Sequence, residues 1–163
     1  MKRVLFIIIL PIFISLSAKG QSLFFIGEKS YPCTESFTLQ VNSNEYYLSD
    51  LNVLFAKDGE KALFAVSTKT IDVIIRGKLI IYLNDGIVII LNNSAVHDYV
   101  NKIASSVYYL TNEELIKLKK SNINTIRYTL AEENGASSPF GGNFSASNET
   151  TNFPSVITEF FDK

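Results

Sequence analysis

The sequence predicts an α+β domain, mainly antiparallel β-sheet made of meanders and hairpins, with one capped α-helix near the C-terminal end of the domain and then a flexible tail. Three features carry that expectation. Apolar and polar residues alternate through several short runs, the period of a half-buried strand. Asn84-Asp85-Gly86 separates two apolar runs, the chemistry of a tight hairpin turn. Thr111-Asn112-Glu113-Glu114 then spells a capping box ahead of a leucine stripe.

The chain opens on two cations, Lys2 and Arg3, followed by an apolar run from Val4 to Leu16 broken only by Pro11 and Ser15. A cationic start, a short apolar stretch and a small-residue exit make a secretory leader. The run is shorter than the ~20 residues a spanning helix needs, and Pro11 removes a helical hydrogen bond inside it. Ala18 and Gly20 fit the small-x-small rule, which places the mature N-terminus at Gln21 and residues 1–20 in a removable signal peptide. The expected organisation is therefore a leader at 1–20, a β-rich globular domain at 21–131 and a tail at 132–163. Such a chain would be periplasmic or extracellular, with no stable membrane span once the leader is cut.

Within the domain, Phe37, Leu39 and Val41 alternate with Thr38 and Gln40, and Leu51, Val53 and Phe55 repeat the pattern. Lys57-Asp58-Gly59-Glu60 supplies a turn before the run 62–66, and Ile71, Val73 and Ile75 form a further strand that Arg76-Gly77 breaks. Leu79–Leu83 and Ile87–Leu91 flank the Asn-Asp-Gly turn; being apolar at nearly every position, both are expected to be covered on both faces. The helix starts at Thr111, with Leu110 and Leu115 as a hydrophobic staple and Leu115 and Leu118 as its buried stripe. Lys117, Lys119 and Lys120 suit the negative end of its dipole, and Asn122 reads as a left-handed stop. Residues 123–130 form a last strand, with Ile126, Tyr128 and Leu130 on one face.

From Glu132 to Asn152 the composition turns to Gly, Ser, Asn, Ala, Glu and Thr, a flexible-linker mixture. Beyond Pro154 the chain is apolar again. Val156, Ile157, Phe160 and Phe161 share one helical face, and are the candidate partner-binding residues, to dock on their own domain or in a partner's groove.

The hairpin Ile81-Tyr82-Leu83-Asn84-Asp85-Gly86, the Val-Tyr-Tyr-Leu strand ending at Leu110, the Thr-Asn-Glu-Glu helix start and the Thr-Ile-Arg-Tyr-Thr strand from Thr125 together resemble small exported α+β proteins of Bacteroidota-type envelopes. The resemblance covers roughly residues 31–131 and implies a compact domain in the periplasm or outside the cell. Its motifs are structural, and it carries over no activity and no site residues.

Few function classes find support in the residues themselves. With the leader's three cations removed, 12 cations face 16 anions, a charge of −4 with no basic stripe, which argues against nucleic acid. Cys33 and His97 each stand alone of their kind, so an internal disulfide is impossible, a Cys/His nucleophile pair is unsupported by any local motif, and zinc-ligand spacing is absent. No glycine-rich phosphate loop follows a strand. No catalytic residue, metal or cofactor is therefore expected. The leading expectation is a non-catalytic exported binding module whose partner is an envelope protein, a glycan or a small apolar ligand. A hydrolase assembled from scattered carboxylates such as Asp50 and Asp72 is the alternative, with a structural accessory subunit as a third class.

Overall fold

The computed structural model describes residues 22–92, 96–133 and 137–162. The leader at 1–20 and the cut before Gln21 lie outside the described residues.

The chain is mostly antiparallel strand, with two helices among the described residues. It begins with a hairpin of β1 (Ser22–Ile26) and β2 (Lys29–Cys33), then β3 (Phe37–Val41), β4 (Leu51–Asp58) and β5 (Lys61–Lys69). β6 (Ile74–Leu83) and β7 (Val88–Leu91) form the expected hairpin, followed by β8 (Val96–Val100) and β9 (Ile103–Leu110). Helix α1 (Asn112–Lys120) leads into β10 (Ile123–Ala131), and β11 (Gly142–Ser147) and α2 (Phe153–Phe161) complete the chain. The strands run in the order β7-β6-β10-β11-β3-β4-β5-β9-β8, with the β1–β2 hairpin branching from β4.

The path folds over on itself at its narrowest joint, where β11 and β3 share only the pairs Val41↔Ala146 and Gln40↔Ser147. One core consequently draws on both halves: Leu39, Phe55 and Phe64 from one, Leu79, Ile81 and Ile126 from the other. Tyr108 of β9 reaches across it, its hydroxyl donating to the Gly77 carbonyl of β6 at 3.2 Å. A second, smaller cluster lies on the outer side of β4, β5 and β9. There Ile26, Tyr31 and Cys33 of the first hairpin cover Ala56, Leu63, Ala65 and Val107.

Helix α1 starts as its sequence dictates. The Thr111 hydroxyl accepts from the Glu114 amide, and the Glu114 carboxylate accepts from the Thr111 amide at 2.7 Å. Its stop differs from the expectation. Asn122 is not left-handed; the helix ends at an extended Ser121, whose amide still donates to the Lys117 carbonyl, and the Asn122 side chain is engaged elsewhere. Nor does Arg76-Gly77 break its strand. Gly77, at φ +75°, bulges within β6, so four residues of β6 span two of β10 and the ladder resumes at Arg76↔Thr129.

The expected flexible tail is a further correction. β11 sits between β10 and β3 near the middle of the strand order. Its serines and asparagines answer polar side chains across the ladder: Thr129 donates to Asn143 Oδ1 at 2.8 Å, and Asn42 donates to the Ser145 and Ser147 hydroxyls. A strand flanked on both sides needs little apolar content of its own, and Ala146 is its one fully buried side chain. Composition therefore read as linker what neighbouring strands turn into sheet. The strands β1, β2 and β8 likewise carry no clear sequence signal, and His97 lies on β8 opposite Ser106.

Candidate functional site

The two ends of the strand order are edges of different character. At one end, β8 reads Val-His-Asp-Tyr-Val, so its free edge carries His97 and Asp98. Inward or edge-borne charge is a common device against unwanted strand pairing. The other end, β7, has no such device: from Gly86 to Asn92 there is no charged residue and no proline.

The β6–β7 register shows which backbone groups that edge presents. Tyr82 lies opposite Val88, Ile81 opposite Ile89 and Ile80 opposite Ile90. The Leu83 amide donates to the Ile87 carbonyl at 2.9 Å, which makes Leu83–Ile87 a hydrogen-bonded pair. Antiparallel pairs alternate, so Ile89 and Leu91 also bond to β6, while the N–H and C=O of Val88 and Ile90 point away from it. The same two side chains stand on the outer face, 44% and 47% exposed, beside a 39% exposed Ile87. Ile89 and Leu91 turn the other way into the core. Both faces of this hairpin were expected to be covered; only the inner one is.

The outer face continues inward from this corner. Ile80 and Tyr82 are half-buried beside Ile90 and Val88, and the next strand presents Arg127 opposite Ile80 and Thr125 opposite Tyr82. Beyond them, β11 adds Ser145 and Ser147. The result is an apolar strip at the free edge with a hydroxyl-rich surface behind it. The charged groups nearest the strip are Lys78, exposed on β6 two residues from Ile80, and Arg127, one strand inward from Ile80.

The sequence-derived candidates fall elsewhere. Ile157 is fully buried, and Val156 is half-buried on the same helix. Phe161 packs edge-on to Phe55 with centroids 6.5 Å apart, and Phe160 packs on Phe161. The Lys57 ammonium sits 4.9 Å from the Phe160 ring centre and 5.5 Å from that of Phe161. Of the two destinations weighed for this segment, it takes the chain's own core.

The chemical alternatives are not brought together. Cys33 lies opposite Ala56, and β4, β5 and β9 stand between its strand and that of His97. Burial pushes the Cys33 thiol up, away from the thiolate a nucleophile needs. The Asp50 carboxylate accepts the Val41 amide at 2.9 Å, and the Asp72 amide donates to the Tyr99 hydroxyl at 2.8 Å. No hydrogen bond or ion pair joins the two aspartates among the described residues. Those residues also contain no group of three or more Cys, His, Asp or Glu placed to hold a metal ion, and no helix long and apolar enough to cross a membrane.

No family model, no curated protein and no solved structure matches the chain.

The corner at β7 was missed because periodicity marks apolar residues without saying which face is left open. A usable signal was nonetheless present: five consecutive apolar residues from Ile87 to Leu91, in a strand only four residues long and flanked by no lysine or proline.

Proposed function

We propose that this chain is an exported, non-catalytic interaction module of the cell envelope, and that it engages a protein partner through the free edge of β7. Export rests on the leader pattern of residues 1–20, and the resemblance to small envelope proteins agrees with it. The observation that supports the site is the coincidence, at Val88 and Ile90, of backbone groups that no strand among the described residues pairs with and half-exposed apolar side chains on an uncharged edge. Among the three ligand classes weighed, a polypeptide strand answers both features at once, because main-chain bonds supply affinity and alternate side chains supply selectivity. A glycan offers no apolar row to match the strip, and a small apolar ligand leaves the edge amides unanswered.

The test is affinity capture of the tagged protein from its native envelope after brief cross-linking, with wild type and Val88→Lys/Ile90→Lys run side by side. A partner held by the wild type and lost by the variant, with circular dichroism unchanged, supports the reading. Equal recovery of every captured protein by the two forms overturns it.

A further inference from the structure

We infer that the strand received by this edge is β7 of a second copy of the chain, paired antiparallel about a twofold axis through Ile89. The inference rests on the interaction reading above and names its partner.

Three features of the edge favour a second copy. The first is register. Within β7, Val88 and Ile90 direct N–H and C=O groups outward, as the alternation along β6–β7 requires. In an antiparallel pair of identical strands, setting Val88 against Ile90 of the other copy brings Ile90 against the other Val88. Both outward residues of both copies are then used, and each of the two matched pairs exchanges two hydrogen bonds. The second is sidedness. The same register puts Ile89 opposite Ile89, so core-facing side chains meet core-facing ones and the exposed pair meets the exposed pair. A one-residue slip would set exposed against buried positions all along the strand. The third is charge. An interface between identical surfaces sets any charge on its axis against itself, and the edge from Gly86 to Asn92 carries none. At the opposite end of the strand order, β8 would bring Asp98 and His97 toward their own copies in any comparable pairing.

Across the axis, Val88 and Ile90 of the two chains form one apolar cluster, with Tyr82 and Ile80 of each copy at its sides. A four-residue strand buries less than the roughly 1,200 Å² of a standard interface, so the expected dimer is weak and concentration-dependent.

The experiment has two arms, both on the mature chain. Sedimentation equilibrium from ~10 µM to ~1 mM reads the association, with a dissociation constant expected between roughly 10 µM and 1 mM for so small a contact. Val88→Lys is expected to weaken it at least tenfold, and Val88→Thr/Ile90→Thr, which keeps β-branched shape and removes apolar surface, is expected to weaken it while leaving the fold intact. In a Cys33→Ala background, Val88→Cys protein mixed with Ile90→Cys protein is expected to form disulfide dimers under mild oxidation, since opposed residues there lie ~5.5 Å apart. Either variant alone would place its thiols roughly 8–9 Å apart at the Cα atoms, two residues out of step and beyond bridging. A chain monomeric at ~1 mM, a dimer indifferent to both edge variants, or cross-linking as efficient in the single variants as in the mixture each overturns the inference. If the chain stays monomeric while an envelope partner is lost with Val88→Lys/Ile90→Lys, the second copy is ruled out and the earlier reading stands; if that capture is also unchanged, both fall.

Discussion

Asn122 accepts the Phe153 amide on its Oδ1 at 3.0 Å and donates its Nδ2 to the Thr151 carbonyl at 2.9 Å, so one side chain fastens the exit of α1 to the entry of α2. Phe153 opens α2, where backbone amides have no helical acceptor of their own. Asn122→Ala leaves that amide unpaired beside a fully buried ring, and a loss of about 1–3 kcal/mol is expected. Asn122→Asp keeps the acceptor and gives up the donor, so its urea midpoint is expected to fall between those of wild type and Asn122→Ala.

Phe153 is the deepest anchor of the C-terminal helix. Its ring meets Phe37 at 5.6 Å and Phe55 at 6.1 Å, both edge-on. Phe153→Ala is expected to cost about 3–5 kcal/mol, the range for emptying a packed aromatic site. Phe160→Ala is expected to cost clearly less, because that ring is only half-buried, with the Lys57 ammonium 4.9 Å from its centre. Chemical denaturation of the two variants checks the order, and equal losses would show that α2 is held by its outer rings rather than by Phe153.

These contacts also mark where the sequence was informative. Local rules were enough wherever a structure is closed by its own neighbours in the chain. The Thr111–Glu114 box and the Asn84-Asp85-Gly86 hairpin formed as their residues dictate, as did the strand from Phe37 to Val41. Rules of that kind fail where distant strands supply what composition lacks. Ser145 and Ser147 lie in a segment with almost nothing to bury, yet β10 and β3 give it ladders on both sides and Asn42 bonds both hydroxyls. Exposure at Val88 and Ile90 was hidden for the opposite reason: their chemistry matches the buried Ile89 and Leu91 beside them, and only the end of a strand order distinguishes the two faces.

Cys33 offers a probe of the first hairpin. It is buried between β2 and the outer side of β4, among Ile26, Tyr31 and Leu63, and burial holds the thiol in its protonated form. Native protein is therefore expected to react with a maleimide far more slowly than unfolded chain at the same pH. Ile26→Ala removes part of the cover and is expected to speed labelling, with the far-ultraviolet circular dichroism unchanged, because the main core lies on the other face of β4 and β5. A labelling rate unaltered by Ile26→Ala would mean that the thiol is reached only by global unfolding.

Tyr128 gives the protein an alkaline limit. Its ring lies 6.0 Å from Phe144, it is 2% exposed, and its hydroxyl has no hydrogen-bond partner among the described residues. Burial pushes the phenol well above its ordinary value, and the charge of Asp50 pushes the same way. The folded state therefore holds this proton where the unfolded chain, titrating near ~10, releases it. Stability from the neutral phenol is fully present below that unfolded value and is lost as pH rises above it, at up to ~1.4 kcal/mol per pH unit for one proton. Tyr108, raised chiefly by burial as well, adds to the same decline. Urea unfolding is expected to show a plateau from about pH 7 to 9 and a fall beyond pH ~10. Tyr128→Phe removes an unpartnered buried hydroxyl at constant shape, so stability at pH 7 is expected to stay level or rise by up to about 1 kcal/mol. The same variant should flatten the alkaline decline and leave the share due to Tyr108. A variant weaker at pH 7 with an unchanged alkaline slope would show that the Tyr128 hydroxyl is bonded in solution and ionises like an ordinary phenol.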